Sequence, residues 1–465
     1  MDSWTIQESP YNMWLSDGGI RRIFVDGLFG RYRYDLSEQS SQTLASRVLL
    51  LYGDNGTGKT TILRILFFLL SHIDKVGHKA QLKKIRFKTF QVDFANGTSV
   101  IAARDDFQQT GYVISILQNS TLLARAQYFS EDEDLNSILS RLEPHEFMRR
   151  HQESQKIEEN HQKVLTALSA LDLRMIYVTD KRRIFTTVPG AKEQQVQRRR
   201  QAQRSLFDED DATNRAEEPL SISAAVEQIG SWATTQALRL SSQGEDDVNA
   251  VYAKIIEKLA SAGREPLKPD LSLAQVMNEL ASLEKRSYEF QRFGLSQPLK
   301  LEPLSKSLTG MSETARKTAL VVMRPYIESL RARFEALDPI RIQLLQFVEI
   351  LTSFYKQKNV SLTVGRGLRI NVGNEAITPS MLSSGEGQLL FILASTLMAK
   401  ERSGLFMVDE PEISLNVVWQ RKLLQALLEI TAGKRIQFLM ATHSVELLTR
   451  YSDLVLNLNK SAENG

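Results

Sequence analysis

The sequence predicts an α/β protein: a mixed sheet with an antiparallel subdomain and a helical insertion. Three observations carry this. Val48-Leu49-Leu50-Leu51-Tyr52 is a short apolar run that ends in a glycine loop and continues into the helix-like stretch 61–70. Two further apolar runs, 405–408 and 436–441, lie near the other end of the chain and lead toward helix-like stretches, as buried parallel strands do. Between these ends, period-two alternation at 89–103 and 360–372 announces antiparallel strands, and helix-like stretches dominate from 222 to 357.

Size and composition bound the rest. At 465 residues the chain has material for two or three structural units. Its net charge is only +3, with a pI near 8.8, so any contact with nucleic acid must come from a local patch. With no cysteine there is no disulfide framework, thiolate nucleophile or cysteine-ligated metal cluster. The first residues, MDSWTIQESPYNMW, lack the basic start and apolar core of a secretory signal. The most apolar run, 62–70, is too short to cross a bilayer. A cytoplasmic protein that does not enter the membrane is expected.

Taken in order, 20–36 reads as two short strands joined through Gly27-Leu28-Phe29-Gly30. Its Phe29, Tyr32 and Tyr34 have two readings, stacking on adenine or packing in the sheet. After the first helix, Gln81, Lys83, Lys84, Arg86 and Lys88 alternate with apolar residues and face either solvent or a phosphate backbone. Asn96-Gly97 marks a hairpin. The stretch 112–129 is ambiguous and holds Gln118 and Gln127, two candidates for a glutamine that senses magnesium and the γ-phosphate. A polar helical pattern over 131–171 is broken near Pro144, and Met175-Ile176-Tyr177-Val178 is a return strand followed by Lys181-Arg182-Arg183. In 187–245 a basic block containing Arg198-Arg199-Arg200 adjoins an acidic one, which reads as an exposed segment. The helical stretches after it suggest a hairpin or compact bundle, and Pro325 and Pro339 argue against one unbroken coiled coil. The expected division is 1–185, an inserted 186–357, and 358–465.

The chemistry lies where the strands end. In Gly53-Asp54-Asn55-Gly56-Thr57-Gly58-Lys59-Thr60-Thr61, glycines let successive backbone N–H groups and a helix N-terminus wrap a phosphate chain. Lys59 would reach the β- and γ-phosphates, and the Thr60 hydroxyl would bind Mg²⁺. Ser383, Ser384 and Gly385 open another helix and form a second anion site, or only a helix cap. The strand 405–408 runs into Asp409 and Glu410, expected to hold Mg²⁺ and to orient and deprotonate a water. His443 stands at a strand end, placed for a γ-phosphate, and Ser444 has an alternative role as a helix cap.

GDNGTGKT at 53–60, LSSGEGQ at 382–388, LFMVDEPE at 405–412 and MATHS at 440–444 together resemble the ABC-type P-loop ATPases of the SMC and Rad50-like branch. That branch includes the ATPases of overcoming-lysogenisation-defect and other anti-phage systems. The resemblance spans roughly 20–180 and 358–460, not the middle. It implies Mg-dependent ATP hydrolysis, with Lys59 and Thr60 in the phosphate loop, Asp409 on the metal, Glu410 as catalytic carboxylate and His443 as switch histidine. It also implies that Ser383 and Gly385 close over ATP held by the opposite subunit of a head-to-tail dimer, within a larger oligomer or not.

Two positions depart from the family pattern: Asn416 stands where many relatives have histidine, and Gly387 replaces a larger polar residue. No toprim nuclease domain follows in this sequence, and no long hinge-tipped coiled coil is evident, so size and architecture look most like the stand-alone ATPase of PARIS-type systems. The resemblance then implies a regulatory scaffold that controls a separate effector, a toprim-type nuclease, with a phage-encoded trigger. The alternative is a repair or chromosome-associated ATPase that clamps duplex DNA, with Lys83, Lys84, Arg86, Lys181, Arg182 and Arg183 forming the groove.

Overall fold

The computed structural model describes residues 19–36, 47–74, 77–104, 111–128, 144–181, 184–187, 222–261, 271–398 and 404–461. Arg182, Arg183, Arg198-Arg199-Arg200 and the 131–143 part of the expected helical excursion lie outside them. The chain forms two compact units, Met1–Leu220 with Ser395–Gly465, and Ser221–Ala394.

In the first unit, β1 (Ile20–Leu28), β2 (Tyr32–Asp35), β4 (Thr89–Phe94), β5 (Thr98–Ala103), β6 (Tyr112–Gln118) and β7 (Thr121–Tyr128) make an antiparallel sheet in the order β2-β1-β4-β5-β6-β7. The alternation read at 89–103 is real, since every second residue of β4 and β5 is buried, and Gly97 turns the hairpin at φ +80°. The ambiguous stretch resolves into the β6–β7 hairpin, whose turn residues Asn119 and Ser120 both take positive φ without a glycine. That turn lacks the usual sequence mark.

The second sheet of this unit has the order β15-β3-β14-β13-β8-β9, from β3 (Val48–Tyr52), β8 (Arg174–Val178), β9 (Ile184–Thr186), β13 (Gly404–Asp409), β14 (Ile436–Thr442) and β15 (Val455–Asn457). All its pairs are parallel except β8 with β9. β13 and β14 are buried along their whole length, which is why both read as unbroken apolar runs. The helix Lys59–Leu70 is buried on most of its surface. The two sheets share one core, and the Gln437 side chain accepts from Ile20 N at 3.0 Å to tie β14 to β1.

The far end of the helix Lys59–Leu70 is held by Lys79, a residue the sequence reading passed over among its neighbours. Its side chain is fully buried, and Nζ donates to the carbonyls of Phe68, Leu69 and Ser71 at 2.7–3.0 Å. These carbonyls have no partner within the helix, and a cation there also meets the negative end of the helix dipole.

The second unit packs the helices Ile222–Ser261 and Leu273–Arg292 against Glu313–Phe354, with β10 (Asn359–Thr363), β11 (Gly367–Val372) and β12 (Glu375–Ile377) as an antiparallel triplet. The helix Ser384–Met398 begins in this unit. Pro325 and Pro339 do not end the helix they lie in: both sit inside one 42-residue helix. Each removes a backbone N–H, but Pro325 is buried and the apolar face continues through Leu330, Phe334, Leu337 and Leu344, so side-chain burial outweighs the lost bonds. Phe290 stacks on Phe334 at 4.8 Å between centroids within that face.

Among the described residues, no helix is long and apolar enough to cross a membrane.

Candidate active site

The strand order decides where the chemistry converges. β14 lies between β3 and β13, and β8 flanks β13, so the parallel strands deliver Gly53, His443, Asp409 and Asp180 side by side at their carboxyl ends.

The loop after β3 is held from several directions. Thr57 bonds Asp54 O through its N–H and its hydroxyl, at 3.3 and 2.9 Å. Tyr34, fully buried, donates its hydroxyl to Thr57 O at 2.8 Å, and Asp54 N donates to Asn459 Oδ1 at 2.9 Å. Tyr34 is thus sheet-packed as well as a brace for the loop. Burial raises its phenol well above the ordinary value, so it stays a donor. Asn55 and Gly56 are exposed at the tip, with Gly56 at φ +87°.

Gly58 precedes the helix Lys59–Leu70 at φ +92° and offers no side-chain cap, which leaves the first-turn N–H groups, those of Lys59, Thr60 and Thr61 among them, directed outward as anion donors. A Cβ at Gly58 would stand 2.5 Å from Leu28 Cδ2. Gly58→Ala is therefore expected to weaken nucleotide binding at least about tenfold, combining left-handed strain of roughly 1–2 kcal/mol with a displaced loop. Titration with a fluorescent ATP analogue measures it.

Lys59 Nζ donates to Gly53 O at 2.7 Å and Asp54 O at 3.1 Å. Burial lowers its pKa, and Glu410, Asp409, Asp54 and Glu412 pull the other way. A phosphate oxygen is a stronger acceptor than either carbonyl, so the same ammonium can pass to it.

Thr60 Oγ1 donates to Asp409 Oδ1 at 3.0 Å, and Tyr177 Oη lies 3.4 Å from Asp409 Oδ2. Asp409 is 1% exposed; burial raises its carboxyl to about 6, with Asp180 and Glu410 pushing it further up and Thr60 and Arg64 holding it back. Hydroxyl and carboxylate converge as hard oxygen donors, the kind Mg²⁺ takes alongside water and phosphate oxygens, so Thr60 and Asp409 fit that ion. When bound, it would neutralise charge on the phosphates.

Glu410 is a non-glycine residue at φ +49°, anchored by its N–H to Ala441 O at 2.8 Å. Its Oε1 lies 3.8 Å from His443 Nε2, with both side chains about one-third exposed. Glu412 accepts from Thr442 Oγ1 and from His443 N. Ser444 caps the helix Val445–Arg450 through Leu447 N at 3.3 Å, its alternative role.

In the second unit, Ser383 opens the helix Ser384–Met398 through a reciprocal cap with Glu386. Ser383 N and Oγ both donate to Glu386 Oε2 at 2.8 Å, and Lys358 Nζ holds Glu386 Oε1 at 2.5 Å. Burial pushes the Glu386 carboxyl up, but the hydrogen bonds from Lys358 and Ser383 outweigh it and leave the carboxyl below its ordinary range. Ser384 and Gly385 form the first turn. Both departures from the family pattern have local reasons. A Cβ at Gly387 would meet Ile222 Cδ1, and Asn416 caps the helix Val417–Ile430 by accepting from Trp419 N at 3.0 Å.

Both glutamine candidates lie on strands of the antiparallel sheet. Gln118 is bound into the Asn96 turn, accepting from Thr98 Oγ1 and donating to Asn96 O. Gln127 sits exposed on β7, its carbonyl accepting from His161. The residues that sequence reasoning missed are Tyr177, Asp180 and Glu412. Asp180 follows β8, and its Oδ1 is buried with no hydrogen-bond partner among the described residues. The available signal was the return strand itself, whose end must lie beside that of another parallel strand.

Residues 246–449 match the family described as "AAA domain, putative AbiEii toxin, Type IV TA system", a span that contains Ser383, Asp409, Glu410 and His443 but not the phosphate loop. No curated protein matches the chain. Among solved structures, an Smc head domain with an extended coiled coil bound to the C-terminal domain of ScpA, derived from Pyrococcus furiosus, is similar at 12% identity and a TM-score of 0.36, covering 93% of this chain and 91% of that one. An SmcHead bound to the C-winged helix domain of ScpA is similar at 11% identity, with the same coverage and TM-score. Mixed parallel and antiparallel sheets, a glycine loop on a buried strand and the family match together describe a P-loop ATPase.

Proposed function

We propose that the protein hydrolyses ATP with Mg²⁺ at this site and uses the cycle as a switch between two copies of itself. The observation that carries the reading is the contact of Thr60 with Asp409, with Glu410 and His443 beside it at neighbouring strand ends. Lys59 and the loop N–H groups bind the phosphates, Glu410 orients the attacking water and accepts its proton, and His443 meets the γ-phosphate.

Ser383 and Gly385 would complete the site of the opposite copy, ATP lying between the two in a head-to-tail pair. Ser383→Arg is expected to leave ATP binding within about threefold and to lower turnover about tenfold or more. Light scattering of the Glu410→Gln form with ATP tests the pairing, and a strictly monomeric particle contradicts it.

What the switch acts on has two readings. In the first the pair clamps duplex DNA, as a repair or chromosome-associated ATPase does. It is supported by exposed Lys84, Arg86 and Lys88 beside the antiparallel sheet and by a helix of 42 residues, about 60 Å long, in the second unit. In the second, the protein is the regulatory scaffold of an anti-phage system, holding a separate effector such as a toprim-type nuclease until a phage product is sensed. The toxin–antitoxin description of the matched family supports it. Duplex DNA that raises turnover in a salt-sensitive way favours the clamp. Co-purification with the product of a neighbouring nuclease gene, and phage protection lost in Lys59→Ala, favours defence.

A further inference from the structure

Glu412 follows the two strand-end carboxylates, but its side chain turns toward β14. One oxygen, Oε1, accepts from Thr442 Oγ1 at 2.8 Å and from the main-chain N–H of His443 at 2.5 Å. The other, Oε2, is buried with no hydrogen-bond partner among the described residues. A half-satisfied buried carboxylate is a costly way to hold two strands together, so stability alone is a poor account of it.

The contacts around it are reciprocal. The N–H of Glu410, at the end of β13, donates to Ala441 O on β14. The N–H of His443, at the end of β14, donates to Glu412, just past β13. Each of the two reacting side chains is thus anchored by its backbone to the other's strand, and the Glu410 carboxylate and His443 imidazole end 3.8 Å apart. The bond to His443 N is charge-assisted and shorter than an ordinary N–H···O contact. It fixes the backbone of His443 and leaves the imidazole only its own torsions.

We propose that Glu412 is a positioning residue that sets the spacing of Glu410 and His443 so that both address the same γ-phosphate. The proposal rests on the ATPase site described above. Glu412 acts here through the acceptor geometry of Oε1 and takes no proton from the attacking water, which distinguishes it from Glu410.

The test combines Glu412→Ala, Glu412→Gln and His443→Ala. Glu412→Ala removes the anchor, and kcat is expected to fall about 10- to 100-fold while KM and ATP-analogue affinity stay within about threefold, because the phosphate loop is untouched. Glu412→Gln keeps an acceptor for both bonds and should retain kcat within about threefold, where the same change at Glu410 should not. Because Glu412 acts through His443, the double variant Glu412→Ala with His443→Ala should turn over no more slowly than His443→Ala alone. Hydrogen exchange on nucleotide-free protein gives a readout independent of hydrolysis: the peptide containing His443 should exchange faster in Glu412→Ala and as in wild type in Glu412→Gln. A glutamine variant as slow as the alanine one, additive losses in the double variant, or unchanged exchange overturns the proposal. Absence of ATP hydrolysis by the wild-type chain overturns the ATPase reading instead, and the exchange result still decides whether Glu412 holds the loop.

Discussion

Glu410→Gln is expected to lower ATP turnover by about 10²- to 10⁴-fold while leaving ATP affinity within about threefold. Glutamine keeps the shape of the side chain but cannot accept a proton from the attacking water. The substitution should not disturb binding, because in the proposed site the phosphates would be held by Lys59 and the loop N–H groups, and the metal by Thr60 and Asp409. Nor should it disturb the backbone, since the anchor of Glu410 to Ala441 is a main-chain bond. Phosphate release set beside a binding titration separates the two effects. Equal turnover of variant and parent would remove Glu410 from the mechanism.

The largest effect on stability is expected at Lys79. Lys79→Met leaves the carbonyls of Phe68, Leu69 and Ser71 without their donor and should destabilise the first unit by about 2–4 kcal/mol. The effect should depend on pH with a definite sign. Burial pushes the Lys79 ammonium down to about 7 from its ordinary 10.5, against an opposing pull from Asp74. Between those values the unfolded chain binds more protons than the folded one, so stability rises with pH across the window, and the cost of burying the charge is full below about 7. The three carbonyls match the three hydrogens of the charged form, which flattens this slope without reversing it. The thermal midpoint of the wild type should therefore climb relative to Lys79→Met from pH 7 to pH 9. A parallel course of the two midpoints would show that the amine does not titrate in this range.

How far the sequence announces this molecule depends on the distance over which each signal acts. The loop 53–60 and the strand 405–410 are legible because phosphate and metal chemistry demand particular residues at consecutive positions, and the same holds for the turn at Asn96-Gly97. Tyr177 and Glu412 are not legible, since their partners depend on which strands lie side by side. Nothing near residue 177 says that β8 borders β13. Gln118 looked functional by residue type, but the turn of the neighbouring β4–β5 hairpin uses its amide. The prolines of Glu313–Phe354 do not mark its ends, because their local cost is fixed, while the burial that offsets it is summed over the whole length of the helix. Lys79 was hidden for a related reason: a buried lysine looks like its exposed neighbours until the end of the preceding helix is seen above it.

The position of β3 between β14 and β15 also governs how the protein must be made. Once residue 128 has been synthesised, every strand of the antiparallel sheet exists, and each finds its partners among those already present. β3 does not. Its two neighbours are at 436–442 and 455–457, so from residue 52 until residue 436 has been made, the strand that carries the phosphate loop has both edges open and both faces apolar. At about 5–20 residues per second this lasts on the order of 20–80 s. Through that interval the nascent chain presents a short, apolar, unpaired strand, the kind of surface that chaperones shield and that otherwise seeds aggregation. A chain released before residue 436 keeps β3 exposed permanently, so premature termination should yield insoluble or rapidly degraded fragments instead of a partly active enzyme.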